Sequence, residues 1–164
     1  MSKLPKVFLD TTVLVAAALT NSPHSPNRTF FKLGALGYVD LRVSSGVLSE
    51  AEGVLTAVDP EHAHTLKFDL AQILEWSKAG VASDPSETTV AECHRLTKYR
   101  PDARVLAAAI ETDCDVLVSS DKKHLLDNPD IGPPNTKLVV MSVSEALDWL
   151  QDRLLADIAE QKKK

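Results

Sequence analysis

Four acidic residues stand where chemistry can gather. Asp10 follows the apolar run Val7-Phe8-Leu9, Asp121 follows VLVSS, Glu50 comes a few residues after LRVSS, and Asp102 comes after Arg100-Pro101, where ARVLAAAIE begins. Each has an ordinary explanation when taken alone. Asp is a favoured helix cap and turn residue, because its carboxylate accepts the free N–H groups of a first turn and suits the positive end of the helix dipole. Glu50 reads equally as an exposed helix acid, and Glu52, two residues on, points to another helix face and is the less favoured alternative. Their joint placement is harder to dismiss. Carboxylates gathered without cationic neighbours repel one another, and the usual compensation is a hard divalent cation bound through oxygen. Mg²⁺ or Mn²⁺ at such a site keeps water positions open, lowers the pKa of a bound water and polarises a phosphodiester, which are the tasks of hydrolytic phosphoryl chemistry.

Other donor sets are weaker. His62 and His64 are two residues apart and cannot share a helix face, so they read as solvated rather than as zinc ligands. Cys93 and Cys114, the only cysteines, lie in a helical and a strand-like context and read as buried, reduced thiols rather than a disulfide framework.

The elements that must position the acids follow from the pattern. With 164 residues and 44% hydrophobic content the chain can build one domain with a real core, and two would be a strain. Apolar runs alternate with helical periodicity from end to end, the mark of an α/β domain around a parallel sheet. Strands are predicted at Lys6 to Leu9, around Leu41 to Ser44, weakly at Gly80 to Ala82, at Val116 to Ser119 and at Lys137 to Met141. Helices are predicted at Val13 to Leu19, Ser25 to Leu36, Gly46 to Ala57, Pro60 to Lys78, Glu87 to Tyr99, Ala103 to Thr112, Lys122 to Asp127, and from Val143 onward. In such a sheet function gathers outside the carboxyl ends of the strands, so all four acids map to one rim.

The last helix opens with the capping-box pattern Ser142-x-x-Glu145, and Leu147, Leu150, Leu154 and Leu155 form a stripe that is core or a dimer face. Its end, AEQKKK, is expected to fray, and three prolines and a glycine make residues 127–137 a loop. The net charge of −5 and pI near 5.5 argue against binding nucleic acid by charge alone, and if the target is a polyanion a bound cation has to bridge the repulsion. Neither a leader-like apolar segment nor a membrane span is evident, and a soluble cytoplasmic protein is expected.

The ordered set VFLDTTVLVAAAL, VSSGVLSEAEGVL, DARVLAAAIETDCDVLVSSDKKHLL and VVMSVSEALDWL resembles the PIN-domain family over nearly the whole chain. That family contains many single-strand-directed ribonucleases, including the VapC-type toxins of toxin–antitoxin pairs. The resemblance implies a three-layer α/β/α sandwich with a central, mainly parallel sheet of about five strands. Residues 1–150 would form the domain, and 151–164 a C-terminal helix extension with a frayed basic tail. It matches the family's strand-end acid to Asp10, with Thr12 in place of a common Asn, its helical acid to Glu50 after Ser44, its next helical acid to Asp102, and its Thr-x-Asp pattern to Ser119-Ser120-Asp121. These acids would be catalytic and hold Mg²⁺ or Mn²⁺. One position departs: Lys123 stands where many members carry a further acid, which bears on a second metal position.

The implied activity is metal-dependent endonucleolytic cleavage of single-stranded RNA, with a cognate antitoxin and a homodimer as the implied protein partners. Thr11, Thr12 and Ser119 are candidates to orient carboxylates or contact a phosphate, although strand-end capping explains them as well. Arg100, Arg104, Lys122 and Lys123 either guide the RNA backbone or are solvated surface charge. Few aromatics argue against extensive base stacking. Two other readings stand beside this one. The first is a catalytically weak or inactive PIN-like module that binds RNA or protein. The second is a haloacid-dehalogenase-type phosphatase, which wants a second Asp where this chain has Thr12.

Overall fold

The computed structural model describes residues 3–20 and 22–164. Five strands form in chain order: β1 (Lys6–Leu9), β2 (Asp40–Ser44), β3 (Gly80–Ala82), β4 (Val116–Val118) and β5 (Val139–Met141). They make one sheet in the order β3-β2-β1-β4-β5, and every neighbouring pair is parallel. The uninterrupted apolar runs explain the central strands, because a parallel strand covered on both faces needs no polar alternation. Val7, Phe8, Leu9, Val116, Leu117 and Val118 are all fully buried. Register pairs Val7 with both Leu41 and Val116, so β1 sits between β2 and β4 and its C-terminal end lies at the middle of the rim.

Helices cover both faces of this sheet. They are α1 (Thr11–Leu19), α2 (Pro26–Ala35), α3 (Ser45–Val58), α4 (Ala63–Trp76), α5 (Glu87–Thr97), α6 (Arg100–Glu111) and α7 (Val143–Lys162). On α6, Ala103, Ala107 and Ala109 surround Leu106, all fully buried, and the small side chains let the helix lie close in the core. On α7 the apolar stripe divides: Ala146 and Leu150 are buried, whereas Leu155 and Ile158 are exposed.

Helix boundaries shift for identifiable reasons. α6 starts at Arg100 rather than Ala103, because Pro101 sits in the first turn, where its missing N–H costs nothing. Asp102 is therefore inside the helix, and Tyr99 occupies the cap without a side-chain bond. α5 stops at Thr97 because Lys98 takes a left-handed backbone, φ 58°. The segment expected as one helix from Pro60 to Lys78 divides into a 3-10 turn, Pro60–His62, and α4. Lys122–Leu126 winds as a wide π-type turn rather than an α-helix.

Gly34 marks where α2 meets its neighbours. A Cβ there would lie 2.7 Å from the Ser77 carbonyl oxygen and 2.9 Å from Leu41 Cδ1. Gly34→Ala should therefore cost about 1–3 kcal/mol of stability through overpacking. Urea denaturation would read it, and an unchanged midpoint would show that the backbone has room to yield. Cys93 and Cys114 are buried and free, and burial pushes both thiols up to about 11, which leaves them unreactive. Among the described residues no helix is long and apolar enough to cross a membrane.

Candidate active site

Asp10 ends β1 and caps α1. Its Oδ1 accepts from the Thr11 N–H at 2.7 Å, and its Oδ2 accepts from Ser119 Oγ at 2.7 Å. Capping alone does not explain its electrostatics. A simple cap carboxylate is favoured in its charged form, yet burial raises the pKa of Asp10 above its ordinary value. The bonds from Ser119 and Thr11 oppose that rise, and the charges of Glu50 and Asp121 add to it.

The hydroxyls act as braces. Ser119, fully buried at the end of β4, donates to Asp10 and accepts the Asp121 N–H at 3.0 Å, which links two of the acids through one oxygen. Thr11 Oγ1 donates to Glu50 Oε2 at 3.0 Å and so ties α1 to α3. Thr12 is exposed and accepts the Ser120 N–H in a longer contact of 3.4 Å. The start of α3 is fixed by Ser44, whose Oγ accepts the Val47 N–H at 3.1 Å, and by Asp84, which accepts the Gly46 N–H at 2.9 Å. Replacing Ser119 with Ala removes both of its bonds and leaves buried Asp10 Oδ2 without that donor. It should cost about 1–3 kcal/mol by urea denaturation, and a variant as stable as the parent would mean that Asp10 has no need of the brace.

Asp102 reaches the same place from the first turn of α6. It is 8% exposed, and its Oδ2 is buried with no hydrogen-bond partner. Burial, then Asp121, Asp10 and Glu50, pushes its carboxyl up to about 7. Burial acts to raise Asp121, but the His124 N–H, at 3.0 Å from Oδ1, the neighbouring Asp102 carboxyl and the His124 ring outweigh it, and Asp121 is held below its ordinary value. The two neighbouring carboxyls are thus pushed in opposite directions, Asp102 toward its protonated form and Asp121 toward its ionised one.

Asp10, Glu50, Asp102 and Asp121 all line one cleft of about 490 Å³, together with Thr11, Thr12 and Tyr99. Asp102, Asp121 and His124 each offer a ligand atom, all within 4.8 Å of one another. An orphaned buried oxygen in an excess of carboxylates is the donor chemistry that a divalent cation completes, so the residues fit one.

The basic candidates divide. Arg100 and Arg104 line a recess of about 400 Å³ that shares Glu50 with the acidic cleft, and both pair with Glu87 of α5, at 2.8 and 2.9 Å. Lys123 lines a separate recess with Lys98 and Asp127, and Lys122 is exposed on the same turn. Glu52 is half-buried and does not line the acidic cleft, which leaves Glu50 as the acid that α3 supplies there.

Sequence reasoning missed His124. Its Nδ1 lies 3.1 Å from Asp102 Oδ2 and 3.6 Å from Asp121 Oδ2, and its ring stacks on Tyr99 with centroids 4.6 Å apart. The available signal was its place three residues after Asp121, the offset at which a residue in the first turn meets its cap.

A family model described as PIN domain matches residues 6–123. No curated protein sequence matches the chain. Among solved structures the fold is similar to PAE2754 from Pyrobaculum aerophilum, with TM-score 0.64 and 16% identity over 90% of this chain and 96% of that one. It is also similar to VapBC2 from Rickettsia felis, solved bound to a DNA fragment from their promoter, with TM-score 0.60 and 16% identity over 84% and 98%. A third is Mycobacterium tuberculosis VapC20, described as a sarcin-ricin loop cleaving toxin, with TM-score 0.51 and 15% identity over 72% and 92%.

Proposed function

The chain belongs to the PIN-domain family, and from that premise we propose that it is a divalent-cation-dependent endoribonuclease acting on single-stranded RNA. The observation that carries this reading is the convergence of four carboxylates on one cleft, two from beyond strand ends and two from helices, with Asp102 Oδ2 buried and without a hydrogen bond. Asp10, Glu50, Asp102 and Asp121 would hold the cation. Once bound, Mg²⁺ or Mn²⁺ supplies the positive charge that a phosphodiester needs to approach these acids, and lowers the pKa of water at the site.

The chain's own residues do the rest. Ser119 and the Thr11 N–H fix both oxygens of Asp10, and Thr11 Oγ1 fixes Glu50, so the carboxylates are placed before substrate arrives. Arg100 and Arg104, which line a recess beside Glu50, would contact RNA phosphates once these displace Glu87. Tyr99, exposed at the cleft, offers one face to a base, in keeping with a site that grips the backbone more than the bases.

The likeness to VapBC2 and to a loop-cleaving toxin supports a toxin role, with a cognate antitoxin covering the cleft. Exposed Leu155 and Ile158 on α7 are the face we assign to a homodimer, which light scattering would detect as twice the chain mass. The activity is tested by incubating a fluorescent single-stranded RNA with the protein in EDTA, Mg²⁺ or Mn²⁺. Cleavage is expected with a cation and none in EDTA. Cation-independent cleavage, or an intact RNA in every condition, would contradict the proposal.

A further inference from the structure

We infer that the cation centre is a mixed oxygen–nitrogen site, in which His124 Nδ1 is a ligand beside Asp102 and Asp121, and that it selects Mn²⁺ over Mg²⁺. This rests on the proposed cation-dependent activity and assigns its metal preference.

The spacing fits. Adjacent ligand atoms on an octahedral ion with bonds of about 2.1 Å are ~3 Å apart. Nδ1 stands 3.1 Å from Asp102 Oδ2 and 3.6 Å from Asp121 Oδ2. The contact lies within ion-pair distance, yet Asp102 Oδ2 is buried and makes no hydrogen bond, which leaves its lone pairs free for a cation.

The ring is also held in place. It lies nearly parallel to Tyr99, 19° between planes, while the His124 N–H bonds Asp121 Oδ1 at 3.0 Å and the His124 carbonyl accepts from Asn128 Nδ2 at 3.0 Å. Stacking and backbone bonds together hold the ring plane beside the acids, with Nδ1 turned toward them.

The chain has Lys123 where the family resemblance implied a further acid, and on the wide turn Lys122–Leu126 both Lys123 and His124 border a neighbouring recess, but only His124 brings a ring nitrogen to Asp102 and Asp121. The additional donor at this corner is therefore nitrogen. Mn²⁺ shares the preference of Mg²⁺ for carboxylate and water, but as a first-row transition ion it accepts an imidazole nitrogen more readily than Mg²⁺, which gives up its water reluctantly.

The test uses the full chain and the metals alone. Pulsed EPR on bound Mn²⁺ reads nitrogen hyperfine coupling directly, and calorimetry gives Mn²⁺ and Mg²⁺ affinities for wild type, His124→Phe and Asp121→Asn. Phe keeps a ring to stack on Tyr99. Expected are nitrogen coupling in wild type that His124→Phe abolishes, a loss of Mn²⁺ affinity of roughly tenfold or more, and a Mg²⁺ affinity changed by about twofold at most.

Mn²⁺ bound by wild type without nitrogen coupling, yet lost in Asp121→Asn, would overturn the role of His124 and leave the acidic site standing. Equal or tighter Mn²⁺ binding by His124→Phe would do the same, and would make the ring a competitor of the cation. No Mn²⁺ binding by wild type would overturn this inference and the nuclease reading together. The spectrum of wild type decides the question even where the variant fails to fold.

Discussion

Asp10→Asn is expected to leave the fold standing and to lower cation-dependent RNA cleavage by about a thousandfold, the order lost when a group central to charge stabilisation is removed. The amide oxygen of Asn can still accept the Thr11 N–H, so the cap of α1 survives. The second position becomes an NH₂ facing Ser119 Oγ, whose hydroxyl can turn to accept it. What disappears is a buried negative charge at the centre of the rim. Single-turnover cleavage measures the loss, and a thermal melt close to that of wild type assigns it to the site rather than to folding. Activity within about tenfold of wild type would return Asp10 to the role of a cap.

The second large effect has opposite signs for stability and for function. With its folded value near 7, Asp102 keeps a proton across a range in which the unfolded chain, at about 4, has released it. The folded state therefore binds more protons than the unfolded one between these limits, and the cation-free protein loses stability as pH rises from about 4 to about 7. Asp102→Asn removes that loss. Without cation the variant should melt above wild type at pH 8, and the difference should shrink toward pH 5. Mn²⁺ should raise the melting temperature of wild type, because it binds only the folded state, and should leave the variant unmoved. Binding to wild type weakens as pH falls through about 7, since the proton on Asp102 competes with the cation. A variant less stable than wild type at pH 8 would show that the Asp102 charge is already compensated within the chain.

The strand runs were readable because burial on both faces writes them without interruption: Val7 to Leu9 and Val116 to Val118 have no other sensible reading. Asp10 and Asp121, at the ends of those strands, were placed on the rim by topology alone. Asp102 was harder to place. Pro101 looked like a boundary before the helix, whereas it is inside the first turn, so Asp102 projects from the helix instead of capping it.

His124 and Glu87 illustrate what spacing does not convey. His124 faces Asp102 because the chain winds a wide turn there, and nothing local distinguishes that turn from an α-helical one. The pairing of Glu87 with Arg100 and Arg104 joins two helices through tertiary packing, so basic residues read as free were already engaged. Tyr99 was one aromatic among few, and only the fold shows it stacked on His124 at the border of the acidic cleft.

The most direct test asks which nucleophile breaks the RNA. An oligonucleotide carrying a single 2′-deoxyribose on the 5′ side of the mapped cut cannot be cleaved by attack of the neighbouring 2′-hydroxyl, but remains open to water at a cation site. Wild type should cut it in Mn²⁺, fail to cut it in EDTA, and lose the activity in Asp10→Asn. A linkage that survives only when the 2′-hydroxyl is missing, or that is cut equally in EDTA, would contradict hydrolysis at a carboxylate-held cation.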